Sequence, residues 1–384
     1  MTNTKIEFID LKAQRRRLGA RLDAAIGRVV DHGGYILGPE VAQLEQALAD
    51  YAGARHAIGC ANGTDAIALC LMAMNVRPGD AIIVPSFTFA STAEVVAWLG
   101  AKPVFAEVDE RTFNLDPECF DNAYAAAIEA GLKPRGLIAV DLFGQPADYD
   151  RIEAYCASKD LFLIVDSAQA FGSVYKGRRS GTIGLFTTTS FFPAKPLGCY
   201  GDGGAIFTAN DELAEVLRSL HIHGKGSDKY DNIRVGMNSR LDTLQAAILM
   251  EKLAIYDDEI AKRQDVARRY DEALKDVAIT PLVMKDCLSV WAQYTLRVPA
   301  ERRATFCNVL KEAGVPTAIY YPKSLHQQTA YRRYPVARGG LAVSERISAE
   351  VVSLPMHPYL DSSVQARIID AARAALVPSA VPGE

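Results

Sequence analysis

Between about Asn62 and Thr208, short apolar runs rich in β-branched residues alternate with longer stretches of helical period. The runs at 81–84, 104–108, 137–140 and 161–165 carry few polar interruptions, which predicts strands covered on both faces. The segments at 91–99 and 149–159 lie between them and predict helices. This alternation predicts an α/β fold with a mainly parallel, doubly wound sheet. Past Arg240 the texture changes. Residues 241–274 are rich in Ala, Leu, Glu, Lys and Arg, hold no Gly or Pro, and predict one long helix or two. From about Ala278 a strand at 294–298 and a helix at 303–313 predict a smaller α+β unit. The reading is a large domain over 1–255 and a small one over 256–384, with the change near Tyr256. The proline-rich end reads as a disordered tail.

A chain of 384 residues with 49% apolar content suits two domains with a sizeable core. The net charge of −4 is spread over interspersed acids and bases, which argues against a nucleic-acid or anionic-membrane footprint. Arg15, Arg16 and Arg17 form the densest basic run and read as a solvated helix face. Residues 1–10 lack the apolar stretch of a signal peptide, and no window approaches a membrane span. The seven cysteines are odd in number and form no C-x-x-C pair, the pattern of reduced thiols in a cytoplasmic protein. His221 and His223 are expected on one side of a strand, but without a third ligand they do not make a metal site.

Three segments carry candidate chemistry. Asn62-Gly63-Thr64-Asp65 precedes a helical period marked by Ala66, Ile67, Leu69, Cys70 and Ala73. Such a turn either caps a helix or offers backbone N–H groups and a positive dipole end to a phosphate. Asp166 follows an apolar strand, at the edge where open α/β sheets bind ligands. It either caps the next helix or holds a cationic ring nitrogen. Lys195 stands between Pro193 and Pro196 in an apolar, glycine-rich loop, where desolvation would lower its pKa and fit it for Schiff-base chemistry. A phosphate cradle, a ring-nitrogen partner and an amine for a carbonyl are the parts a pyridoxal-phosphate (PLP) site needs. No G-x-G-x-x-G or Walker-A phrase opens the first strand–turn–helix, which counts against another nucleotide-binding fold.

The ordered phrases Gly34-Tyr-Ile-Leu-Gly-Pro-Glu-Val41, Ala61-Asn-Gly-Thr-Asp-Ala66, Pro85-Ser-Phe-Thr-Phe89, Asp166-Ser-Ala-Gln169, Ser190-Phe-Phe-Pro-Ala-Lys195, Gly201-Asp-Gly-Gly204 and Asn238-Ser-Arg-Leu-Asp extend over most of the chain. In them the sequence resembles the DegT/DnrJ/EryC1/StrS sugar aminotransferases, fold-type I PLP enzymes. The resemblance implies that Lys195 bonds the cofactor and Asp166 keeps its ring nitrogen protonated. Phe89 would stack on the ring, and Gln169 would bond its 3-hydroxyl. Gly63, Thr64 and Ser190 would hold the phosphate. Asn238 would reach that phosphate from a neighbouring subunit, so that a homodimer shares each site. Arg240 is a candidate for anionic substrate groups.

By the same resemblance the substrates are L-glutamate and a nucleotide-linked keto sugar. The best match is UDP-2-acetamido-2-deoxy-3-oxo-glucuronate, destined for bacterial surface polysaccharide such as lipopolysaccharide, with Tyr321 and His326 facing the sugar. A 4-keto-6-deoxy sugar nucleotide is the alternative within the family, and a non-catalytic regulatory or binding protein the alternative outside it. One departure stands out. Many relatives read Glu-Asp-Ala-Ala where this chain has Val165-Asp-Ser-Ala, so Ser167 adds a hydroxyl beside the aspartate. The Lys-to-His replacement of the family's dehydratase branch is absent, which favours amino transfer.

Overall fold

The computed structural model describes residues 5–228 and 230–376; the expected tail lies outside them. Three helices come first, α1 (Leu11–Leu18), α2 (Ala20–His32) and α3 (Pro39–Ala52). The sheet then begins with β1 (His56–Cys60), which leads into α4 (Gly63–Ala73). Next come β2 (Asp80–Pro85), α5 (Ser91–Trp98), β3 (Lys102–Ala106), α6 (Phe120–Glu129), β4 (Lys133–Val140), α7 (Tyr149–Ser158) and β5 (Phe162–Asp166). A short ribbon of β6 (Val174–Tyr175) and β7 (Arg178–Arg179) precedes β8 (Phe186–Ser190) and β9 (Gly204–Thr208).

The seven-stranded sheet has the order β1-β9-β8-β5-β4-β2-β3. Its pairs are parallel except at β9, which runs antiparallel to both β8 and β1. The four expected strands are β2 to β5, shifted by a residue or two at their ends except β4, which begins four residues earlier, at Lys133. Parallel neighbours need a crossover: α5 supplies it between β2 and β3 and α7 between β4 and β5, whereas the chain from β5 to β8 runs through the β6–β7 ribbon. Residues 191–203 form no helix and simply turn the chain back, which is why β9 is antiparallel. That turn carries Lys195.

Alternate residues of β9 serve two cores. Ile206 packs with Leu69 and Leu217 on one face, while Ala205 and Phe207 pack with Leu44, Phe171 and Leu249 on the other. The helix α8 (Asp211–Leu220) ends where a strand through His221 and His223 was expected. That strand does not form: His221 ends the helix with its Nδ1 3.2 Å from the Gly59 carbonyl, and His223 has a φ of 67°.

The stretch expected as one helix or two is two, α9 (Thr243–Leu253) and α10 (Tyr256–Leu274). The break falls at Ala254 and Ile255, and the acids Asp257, Asp258 and Glu259 then occupy the first turn of α10, where the helix dipole favours them. Tyr256 and Ile260 of α10 belong to the core around Phe171, whereas Val266, Tyr270 and Leu274 belong to a second core. That core includes β11 (Tyr294–Arg297), which pairs with β12 (Val351–Leu354); β10 (Cys287–Leu288) adds to the β6–β7 ribbon. Helices α11 (Ala300–Glu312), α12 (Ala342–Glu350) and α13 (Ser362–Leu376) complete this half. None of the described helices is long and apolar enough to cross a membrane.

Candidate active site

A cavity of about 610 Å³ opens at the carboxyl ends of the parallel strands, the edge at which such sheets bind ligands. Each strand delivers a different wall. The turn after β1 brings Asn62, Gly63 and Thr64, the loop after β2 brings Phe89, β5 ends in Asp166 with Gln169 beyond it, and β8 ends in Ser190 before the Lys195 loop.

The turn after β1 is shaped by small residues. Asn62 caps α4, its Oδ1 accepting from the Asp65 N–H at 2.8 Å. The first intrahelical bond runs from Ala66 N–H to the Asn62 carbonyl. The Gly63 and Thr64 N–H groups therefore have no acceptor within the helix and point toward its positive end. A Cβ on Gly63 would stand 2.7 Å from the Ser190 Cβ, so glycine is what lets Ser190 close on the turn. Gly204 plays the same part from β9, since its Cβ would meet the Asn62 carbonyl at 2.5 Å.

Across the cavity Asp166 is buried and accepts from the Ala168 N–H at 3.1 Å. Burial pushes its carboxyl upward, opposed by that N–H, the nearby Lys195 charge and the Thr92 hydroxyl. Burial also lowers Lys195, and the charge of Asp166 offsets this only in part. Each group opposes the shift that burial imposes on the other, so a desolvated amine and a desolvated carboxyl stand side by side. Gln169 is fixed at both ends of its amide: Oε1 accepts from the Phe143 N–H at 2.7 Å, and Nε2 donates to the Tyr321 hydroxyl at 3.2 Å. The rings of Phe89 and Tyr321 lie 6.4 Å apart at 41° and flank the cavity.

The DegT/DnrJ/EryC1/StrS aminotransferase family model matches residues 17–373. The chain belongs to that family. It is 51% identical to UDP-2-acetamido-2-deoxy-3-oxo-D-glucuronate aminotransferase of Pseudomonas aeruginosa, across 93% of this chain and 97% of that one. A DegT DnrJ EryC1 StrS aminotransferase from Brucella abortus superposes with a TM-score of 0.95 at 52% identity, covering 97% of this chain and 99% of that one. NtdA from Bacillus subtilis, solved with bound cofactor PMP, superposes with a TM-score of 0.86 at 27% identity, covering 98% and 86%.

This aminotransferase is PLP-dependent, and its residues suit that group. A helix N-terminus faces Ser190 across a gap that a single Cβ would fill, a buried carboxylate faces inward, and a desolvated amine stands beside it. Of the residues expected from the sequence, Gly63, Thr64, Phe89, Asp166, Gln169, Ser190, Lys195 and Tyr321 all line the one cavity. Asn238 and Arg240 do not; Asn238 is exposed, bridged to Ile222. His326 does not line it either. Its ring is held between the Ser86 hydroxyl, 2.6 Å from Nδ1, and the Glu345 carboxylate, 3.0 Å from Nε2.

The sequence reading passed over several residues that the fold brings in, among them Glu94, Trp98 and Asp202 on the cavity wall. Gln293 and Tyr320 line the cavity from the second half of the chain, and Thr92 reaches Asp166 from α5. Only long-range packing places them there, and no local pattern marks them.

Proposed function

We propose that this aminotransferase moves an amino group from L-glutamate to the keto group of a nucleotide-linked sugar, with UDP-2-acetamido-2-deoxy-3-oxo-glucuronate the best match. When bound, PLP supplies the electron sink that makes a carbon–hydrogen bond next to nitrogen acidic. The protein does the rest. Lys195, its pKa lowered by burial, would bond the cofactor and carry a proton to and from the reacting carbon. Asp166 holds a proton at the ring nitrogen. Gly63, Thr64 and Ser190 hold the phosphate, Gln169 takes the 3-hydroxyl and Phe89 covers the ring. The observation that carries this reading is the meeting of lowered Lys195 and buried Asp166 with the Gly63–Ser190 cradle in one cavity.

Charge supports a shared site. The cavity of one chain is lined by the carboxylates Asp65, Glu94, Asp166 and Asp202 against the single cation Lys195. A cofactor phosphate, a sugar diphosphate and a uronate are all anions, and they need positive charge that this wall does not supply. In our reading a second copy contributes it, with Asn238 reaching the phosphate and Arg240 the substrate. Tyr321 faces the sugar, and His326 acts behind it through Ser86. The reaction takes place in the cytoplasm and serves lipopolysaccharide assembly.

The test is a two-stage assay. The holoenzyme is treated with glutamate until the visible band of the lysine-bound cofactor disappears, and keto-sugar nucleotides are then added one at a time. Return of the band with the UDP-linked 3-keto uronate is expected. Return with 4-keto sugars alone overturns the substrate assignment, and failure of glutamate to bleach the band overturns the donor.

A further inference from the structure

Beneath the loop that carries Lys195 lies a second lysine. Lys252, in the last turn of α9, is 1% exposed. Its ammonium donates to the Gly198 carbonyl at 2.5 Å and sits 4.3 Å from the centre of the Tyr200 ring. Burying an ammonium is costly unless strong partners compensate it. Here both partners, a backbone carbonyl and an aromatic face, belong to one loop. Burial brings the Lys252 pKa down to about 8.

The loop is built to transmit such a hold. The Phe191 carbonyl accepts from the Cys199 N–H at 2.7 Å and from its thiol at 3.0 Å, which closes residues 191–199 into a ring. At the apex the Lys195 N–H donates to the Phe192 carbonyl at 2.8 Å. Gly198 packs against the same turn: a Cβ there would lie 2.7 Å from the Phe192 carbonyl oxygen and 2.6 Å from that of Pro193. Fixing Gly198 therefore fixes the turn that bears Lys195. Two turns earlier on α9, Gln245 accepts the Tyr200 N–H at 2.8 Å, so one helix fastens the loop exit at two points.

We propose that Lys252 is a positioning residue, whose ammonium acts through the Gly198 carbonyl to set where the loop presents Lys195. The proposal rests on Lys195 being the lysine that bonds PLP. Wild-type protein checks that premise separately, because absence of a visible band would refute the premise and not the role of Lys252.

The test compares wild type with Lys252→Met in three measurements. In cofactor-free protein, amide hydrogen exchange across residues 191–200 is expected to quicken by about tenfold, while exchange in the central strands stays unchanged. On adding PLP, the visible band is expected to form about tenfold more slowly, because the amine is less well placed. In turnover, kcat is expected to fall about tenfold with KM for the keto sugar within about twofold. Should the Met variant fail to fold, Lys252→Gln, which keeps an N–H donor of shorter reach, carries the same three measurements. A folded variant with wild-type loop exchange, band formation and kcat overturns the proposal. So does one that loses only thermal stability.

Discussion

Ser167, which departs from the family phrase along with Val165, has a partner that explains its hydroxyl. It donates to Asp141 Oδ2 at 2.5 Å, while the Tyr149 hydroxyl and the Ala147 N–H serve Oδ1. Asp141 in turn donates its backbone N–H to the Asp166 carbonyl at 3.0 Å, so the two acids are tied together. Burial raises the Asp141 carboxyl to about 7 despite its three donors, and the charge of Asp166 acts in the same direction. The folded protein thus holds this proton more tightly than the unfolded chain does. Between about pH 4 and about pH 7 the folded state binds more protons at this site, so its contribution to stability falls as pH rises through that window. In Asp141→Asn the amide can donate to the Ser167 oxygen, and this source of pH dependence disappears. Thermal unfolding measured across that range should show a flatter slope than wild type, with the variant gaining on it toward alkaline pH. Parallel slopes would mean that Asp141 titrates alike in both states.

At the scale of elements, the cradle depends on how closely β8 approaches the start of α4. Gly63→Ala puts a methyl into the 2.7 Å gap beside Ser190 and must push the two apart. Overpacking of this kind costs about 1–3 kcal/mol. PLP should consequently bind about tenfold or more weakly, measured by titrating cofactor-free protein, while the fold is retained. Binding as tight as wild type would show that the cradle has slack. The elements themselves were legible where burial imposes a simple pattern: β2 to β5 are covered on both faces, and their β-branched runs say so. The direction of β9 was not legible, because it depends on whether residues 191–203 wind into a helix. Asn62, Asp166 and Lys195 announced themselves through turn chemistry, strand-end position and flanking prolines. Lys252 could not. A lysine in the last turn of a helix, next to Glu251, looks solvated until the loop is laid over it. Asn238 and Arg240 lay beyond local reasoning for another reason: they are absent from the cavity wall of their own chain.

At the scale of the whole molecule, the mouth of the cavity is ringed by apolar groups left in solvent, with Phe89 55%, Trp98 60% and Phe192 52% exposed. Patches of this kind mark interaction surfaces, in keeping with a second copy seated over the site. Mixing decides it. If a homodimer shares each site as proposed, Lys195→Ala and Arg240→Ala chains, each inactive alone, should recover about a quarter of wild-type activity when refolded together in equal amounts, because half the dimers then hold one intact site. Activity no greater than the sum of the two parents would exclude a shared site. The sheet order also governs when a site can first exist. β1 has one neighbour in the seven-stranded sheet, and that neighbour is β9, whose last residue is Thr208. Contacts so distant along the chain form late. As the protein leaves the ribosome, His56–Cys60 must wait, unpaired, for Gly204–Thr208 to emerge before the turn at Gly63 can be set against Ser190. Assembly of the cradle at Gly63 and Ser190 is therefore tied to the emergence of β9.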